Sequence, residues 1–314
     1  MTQQGMSTTS QTVSIALYGD SMTTFAERMG HREARNLIQK NDLDNETRVE
    51  LWNDLVFLKK VFDNVANESY RTDQTEHDLL QSVWCSFYHR PLDEIPRNDE
   101  IWNRVKSTII KDSWFDALSL IEHIVKRLST IEHGRLKGIF SALVDGHNET
   151  FEKYLVAYRF IGTLITPIDS DAEVAAVQSV LDQTDHLAGV RHSLQRAVEL
   201  LADRKQPDYS NSIKESISAV EAIVKKVTGK GTLGDGIKKL ESSGINIHPA
   251  LKEAWLKMYG WTSDANGIRH AGIEAADANQ ALAKYALVSC SAFISYLLDE
   301  GQKTGLLGTE EPPV

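Results

Sequence analysis

A chain of 314 residues, 41% hydrophobic and 25% charged, carries enough apolar side chain for one large core or two modest ones. Its formal charge of −10, spread along the whole length, argues against free binding to an extended DNA duplex. That binding relies on Lys and Arg neutralising phosphates, although a small basic pocket acting on RNA stays open. No stretch approaches the roughly 18 consecutive apolar residues of a membrane span, and the two cysteines, Cys85 and Cys290, stand too far apart for the clustered ligands of a metal site and are too few for a secreted disulfide scaffold. The expectation is a cytoplasmic chain with two buried thiols, no metal, no cofactor and no membrane.

The polar run Met1–Thr12 lacks a basic and then apolar signal pattern and reads as a disordered lead-in, residues 1–12. Helical spacing follows. Asp44–Phe62 opens on the capping pair Asp44-Asn45 and sets Leu51, Leu55, Leu58 and Phe62 on one face. Glu76–His89 repeats the pattern, with Pro91 and Pro96 as stops. Ile101–Leu128 carries apolar residues at helical spacing with a break near Lys111–Ser113, and Phe151–Leu164 is apolar on one side.

The segment Thr166–Asp171, with Pro167, Asp169 and Ser170, marks a boundary, because Pro disfavours helix before it and Asp and Ser cap helices after it. A helix then runs from about Ala172 to Arg204, broken at Gly189. In Ser210–Thr228 the residues Ile213, Ile217, Val220, Val224 and Val227 form a core-facing stripe. The Gly-rich run Gly229–Gly236 does not match a phosphate-binding loop and reads as a turn into a short helix. His248-Pro249 opens another helix, Tyr259–Gly272 reads as a loop, and Asp277–Leu298 is a final helix burying Leu282, Tyr285, Ser289, Phe293 and Tyr296. The fold class is all-α, in two helical domains at 13–165 and 166–302 with a flexible tail at 303–314.

The chemistry gathers in Tyr259–Gly272. His270 beside Arg269 suits phosphodiester cleavage. The imidazole moves the proton of a ribose hydroxyl or leaving oxygen, and the guanidinium holds a phosphate oxygen. The competing reading pairs Arg269 with Asp264 to lock the loop and makes His270 a helix cap. Asp264, Asn266 and Glu221 are the supporting candidates, Glu221 lying at the edge of the buried stripe where a carboxylate needs a partner. Lys214 and Asn211 begin the striped helix, where phosphate is favoured. Trp261 can stack on a base or plug the loop onto the bundle.

The sequence Asn211-Ser212-Ile213-Lys214-Glu215-Ser216, then Ala219-Val220-Glu221-Ala222, then Gly267-Ile268-Arg269-His270-Ala271 resembles the C-terminal HEPN domain of abortive-infection, or phage-defence, proteins. The resemblance is to the group with an AbiJ-type N-terminal domain, which residues 25–30 (FAERMG) and 50–55 (ELWNDL) also resemble more loosely. It implies a HEPN-like four- to five-helix bundle that forms a homodimer, the paired loops making one cleft. It also implies a metal-independent endoribonuclease acting on RNA as a toxin, restrained until infection by a partner such as an antitoxin. Active HEPN ribonucleases carry Arg with four to six residues between it and the His, and here Ser263, Asp264 and Ala265 hold those positions. Two functions follow: an endoribonuclease in which Arg269 has taken the Arg role, or a catalytically degenerate dimer acting as sensor, scaffold or partner-binding module.

Overall fold

A computed structural model describes residues 25, 29, 31, 38–66, 70–131, 136, 138–203, 207–263 and 278–307. Among them are eleven α-helices and one two-stranded hairpin, an all-α fold. Two hydrophobic clusters organise the chain. The first gathers residues from Leu43 to Ile165, the second residues from Ile161 to Leu307.

The first core opens with α1 (Asn45–Ala66). Asp44 caps it, its Oδ1 accepting from the Thr47 amide at 2.9 Å. Leu51, Leu55, Leu58 and Phe62 are all essentially inaccessible, so the expected face is the buried one. Helix α2 (Tyr70–Ser82) runs into a π-helix, Val83–Phe87, and a 3-10 turn, Leu92–Glu94. Then come α3 (Asn98–Lys111) and α4 (Trp114–Leu128). The break between these two falls at Asp112-Ser113, because Ser113 starts a new helix by accepting from the Asp116 amide. Helix α5 (Ile139–Lys153) closes the set.

Phe151–Leu164 does not continue as a helix. After Lys153 the chain forms β1 (Arg159–Ile161) and β2 (Leu164–Thr166), an antiparallel hairpin with Arg159 opposite Thr166. Gly162 makes the turn at φ +58°, a region open to glycine at little cost. With no third strand beside it, the hairpin borrows side chains. Asn148 Oδ1 accepts from the Phe160 amide at 2.7 Å and Glu122 Oε2 from the Ile165 amide at 2.7 Å, so backbone donors in a dry setting stay satisfied.

The second core is built from α6 (Asp171–Gln183), α7 (Ala188–Ala202), α8 (Tyr209–Thr228), the two-turn α9 (Leu233–Lys239), α10 (Pro249–Ser263) and α11 (Gln280–Lys303). The stripe on α8 is buried as expected, with Ile213, Ile217, Val220 and Val224 at zero exposure. It lies between α7 and α11. Ser212 Oγ donates to the Ala197 carbonyl at 2.8 Å, which pins α8 to the end of α7. The Gly-rich run becomes a left-handed helix stop at Gly229 followed by α9, whose N-cap Thr232 accepts from the Asp235 amide.

Helix α11 departs from its expected register. Tyr285 is 59% exposed, and the buried set is Ala283, Ala286, Leu287, Cys290, Phe293, Ile294, Leu297 and Leu298. Leu282 and Ser289 are only half-buried. The helix packs on α8 and on α6 at once, and small alanines on the inner side allow that close double contact. By length and composition α11 could cross a bilayer, but half of its most apolar window is buried inside the bundle. Of the two thiols expected to be buried, Cys290 is and Cys85 is only partly so.

Candidate functional site

Asp264, Asn266, Arg269 and His270 lie outside the described residues. The helices on either side are described, and both are firmly held. Helix α10 runs through Trp261 to Ser263, so Trp261 stands on its last turn and not in a loop. It is 38% exposed and therefore does not plug the bundle. Nearly two turns earlier Trp255 stacks on Phe293 of α11, ring centroids 4.0 Å apart. Thr262, fully buried, donates to the Tyr259 carbonyl at 2.9 Å. On the far side Asn279 caps α11 by accepting from the Leu282 amide at 3.0 Å. The Lys284 ammonium then reaches Asp169 at 2.9 Å and Glu173 at 3.0 Å.

The candidates on α8 divide. Glu221 is half-buried in the C-terminal half of the helix, next to Ala222, which faces Gly189 of α7. Lys214 is exposed. Asn211 is committed locally, its Nδ2 donating to Asp208 Oδ2 at 2.6 Å and its amide to Asp208 Oδ1 at 3.0 Å. That cap puts a carboxylate at the helix start where a phosphate would sit, which weakens the case for Asn211 as an RNA contact.

At the junction of the two cores a buried guanidinium joins them. Arg159 on β1, 3% exposed, donates from Nε to Asp171 Oδ1 at 2.6 Å and from Nη1 to the Val156 and Tyr158 carbonyls. Burial works against the Asp171 carboxylate. The hydrogen bond with Glu152 and the Arg159 charge outweigh it and hold Asp171 below the usual carboxylate range. Glu152 is raised in turn, chiefly by its hydrogen bond with Asp171 and then by burial. These residues line a cavity of about 460 Å³ with Ile38, Leu155 and Ala172.

A larger cavity, about 580 Å³, opens beside the π-helix. Its lining includes Ser86, Tyr88, His89, Arg104, Thr108 and Asp112. Sequence reasoning passed over it, treating His89 as a helix end before Pro91. The signal available was polar residues four apart on α3 (Arg104, Thr108, Asp112), which share one helix face. Burial pushes the Tyr88 phenol up, partly countered by its hydrogen bond with Thr108 at 3.1 Å, so it stays a neutral hydroxyl. His89 adopts φ +51°, a left-handed backbone uncommon for a side chain with Cβ. Among the described residues no three His, Cys, Asp or Glu side chains gather as a metal site would need.

Residues 23–183 match the family AbiJ N-terminal domain 4. The chain belongs to this family, and its first half is therefore an abortive-infection domain of the AbiJ type. The match ends at Gln183, the last residue of α6. No curated protein and no solved structure matches the chain.

Proposed function

We propose that the chain is a phage-defence protein whose second core is a HEPN-like bundle acting on RNA as a homodimer, with His270 and Arg269 cleaving the phosphodiester without metal. His270 takes the ribose hydroxyl proton or supplies one to the leaving oxygen, and Arg269 holds the non-bridging phosphate oxygens. Asp264, Asn266 and Glu221 support that pair, and Lys214 and Trp261 offer flanking contacts to RNA. The observation that carries the reading is the pairing of an abortive-infection domain with a helical bundle. That bundle anchors both helices leading to the Arg269–His270 connection, through Trp255–Phe293 and Lys284.

One sequence feature favours a second reading. Ser263, Asp264 and Ala265 stand where an active site of this type carries Arg, so the dimer would act as a sensor, scaffold or partner-binding module. Purified wild type and His270→Ala, incubated with a mixed RNA pool, separate the two. The first reading expects cleavage by wild type only, with unchanged helical circular dichroism and an unchanged dimer mass by light scattering. Intact RNA with both proteins, or equal cleavage by both, overturns it.

A further inference from the structure

The cavity beside the π-helix holds polar groups that the fold does not use. Among the described residues, the Arg104 guanidinium forms no hydrogen bond or ion pair and lies over the Tyr88 ring, 5.4 Å from its centroid. The His89 imidazole and the Asp112 carboxylate are likewise without a side-chain partner among those residues. By contrast, several groups of the scaffold around them are engaged. Arg48, 9% exposed, donates to the Ile109 and Asp112 carbonyls at 2.8 and 2.9 Å and so fixes the end of α3. Asp116 is held by Ser113 at 2.5 Å, and Tyr88 by Thr108.

A rigid frame with uncommitted charged groups around one cavity is the pattern of a ligand site rather than of packing. The π-helix and the left-handed His89 supply the local departure from regular geometry that brings the imidazole to the rim.

The arrangement also selects the ligand. Arg104 and His89, both exposed, are the cationic side chains of the lining and make up one pole. Asp112 forms the other, two four-residue steps along α3 from Arg104, a backbone separation of about 12 Å. The first pole suits an anion with several oxygens, to which guanidinium and imidazole both donate. The second only accepts, and takes amino or hydroxyl donors. A nucleotide places phosphate at one end and base amino or ribose hydroxyl groups at the other. The cavity volume of about 580 Å³ falls in the range of small-molecule sites, roughly 300–1,000 Å³.

We infer that this cavity binds a nucleoside monophosphate, the phosphate on Arg104 and His89 and the nucleoside donors on Asp112. The inference does not depend on ribonuclease activity, because the cavity belongs to the first core. Isothermal titration calorimetry of the full chain with AMP, GMP, CMP and UMP tests it, with inorganic phosphate and the matching nucleosides as separate probes. At least one nucleotide is expected to bind saturably at one site per chain. Phosphate alone and nucleoside alone are each expected to bind at least about ten-fold more weakly. Arg104→Ala and the isosteric Asp112→Asn should each weaken binding by about ten-fold or more; Asp112→Asn should melt like wild type, whereas Arg104→Ala also loses the contact with the Tyr88 ring and should melt only slightly lower. His270→Ala should bind as wild type does, which separates this site from the proposed RNA site. Absence of saturable binding by every nucleotide overturns the inference. So does binding that survives Arg104→Ala, binding lost in His270→Ala, or phosphate binding as tightly as the nucleotide.

Discussion

Gly236 lets α9 seat directly on α8, and replacing it with alanine measures how tight that seat is. An alanine Cβ would lie 2.3 Å from Val224 Cγ1 and 3.2 Å from Thr228 Oγ1, where carbon atoms in contact normally stand about 3.5–4.0 Å apart. Val224 is at zero exposure on a helix. As a β-branched residue it has one strongly preferred rotamer and cannot simply turn aside. Overpacking of this kind costs about 1–3 kcal/mol. Against it stands the helix preference of Ala over Gly, about 1 kcal/mol. Because the overlap is severe and its neighbour rigid, the upper part of the range applies, and Gly236→Ala should be destabilised by roughly 1–2 kcal/mol net. The assay is urea denaturation of Gly236→Ala, Val224→Ala and the double variant. In the Val224→Ala background the clash is gone, so the glycine change should be neutral or stabilising, giving a favourable coupling of about 1 kcal/mol or more. A single variant as stable as wild type, or strictly additive effects, would refute the argument that backbone proximity dictates this glycine.

Asp54 Oδ2 accepts from buried His147 Nδ1 at 2.8 Å and from Thr150 Oγ1 at 3.0 Å, and His147 Nε2 has no partner among the described residues. Asp54→Ala should therefore strand two buried donors, at about 1–3 kcal/mol each, and an unchanged urea midpoint would contradict this. Burial lowers the pKa of His123, with Lys126 and Arg127 adding to it and the Ser82 hydrogen bond opposing. A depressed folded value means stability present above the unfolded pKa of about 6.5 and lost as pH falls through the folded value. Wild type should thus lose more stability than His123→Gln between pH 7.5 and 5.5, and equal losses would count against it. Burial pushes the Cys290 thiol far up while Cys85 is partly exposed, so a thiol reagent should titrate one cysteine in native protein and both in denaturant. Prompt native labelling of Cys290 would show the bundle to be open there.

How much of this was readable beforehand follows from which forces are local. The faces of α1 and α8 were readable because each helix buries one stripe against neighbours on one side, and periodicity reports that directly. The break at Asp112-Ser113 and the stop at Gly229 were readable because caps act within a turn. The register of α11 was not. It is buried by α6 and α8 from two directions, so alanines carry contacts that a search for large apolar residues ignores, and Tyr285 was taken for core. The β1–β2 hairpin was hidden for a similar reason. Its partners are Asn148 and Glu122 side chains from other elements, and no three-residue segment announces them. The same limit applies to Gly236. Its sequence neighbourhood suggests a turn, whereas the constraint is Val224 on another helix. At the candidate site, the identity of Arg269 and His270 could be read, but the α10 helix reaching past Trp261 could not, because Tyr259-Gly260 looks locally like a stop.

Helix α6 links the two halves of the chain. By sequence it belongs to the family match, which runs to Gln183. By packing it belongs to the second core, where Val177, Val180 and Leu181 are buried against α11. Its first residue, Asp171, is held by Arg159 of the hairpin, and Glu173, two residues on, is held by Lys284 of α11. Exposed ion pairs contribute little to stability, about 0–1 kcal/mol, and here the Arg159 side chain is buried while the Asp171 carboxylate is 45% exposed, so solvent screens one end of the pair. Helix α6 thus touches both the hairpin and α11, the helix that follows residues 264–277. The physical link between the abortive-infection domain and the bundle is thus a shared helix rather than a flexible linker.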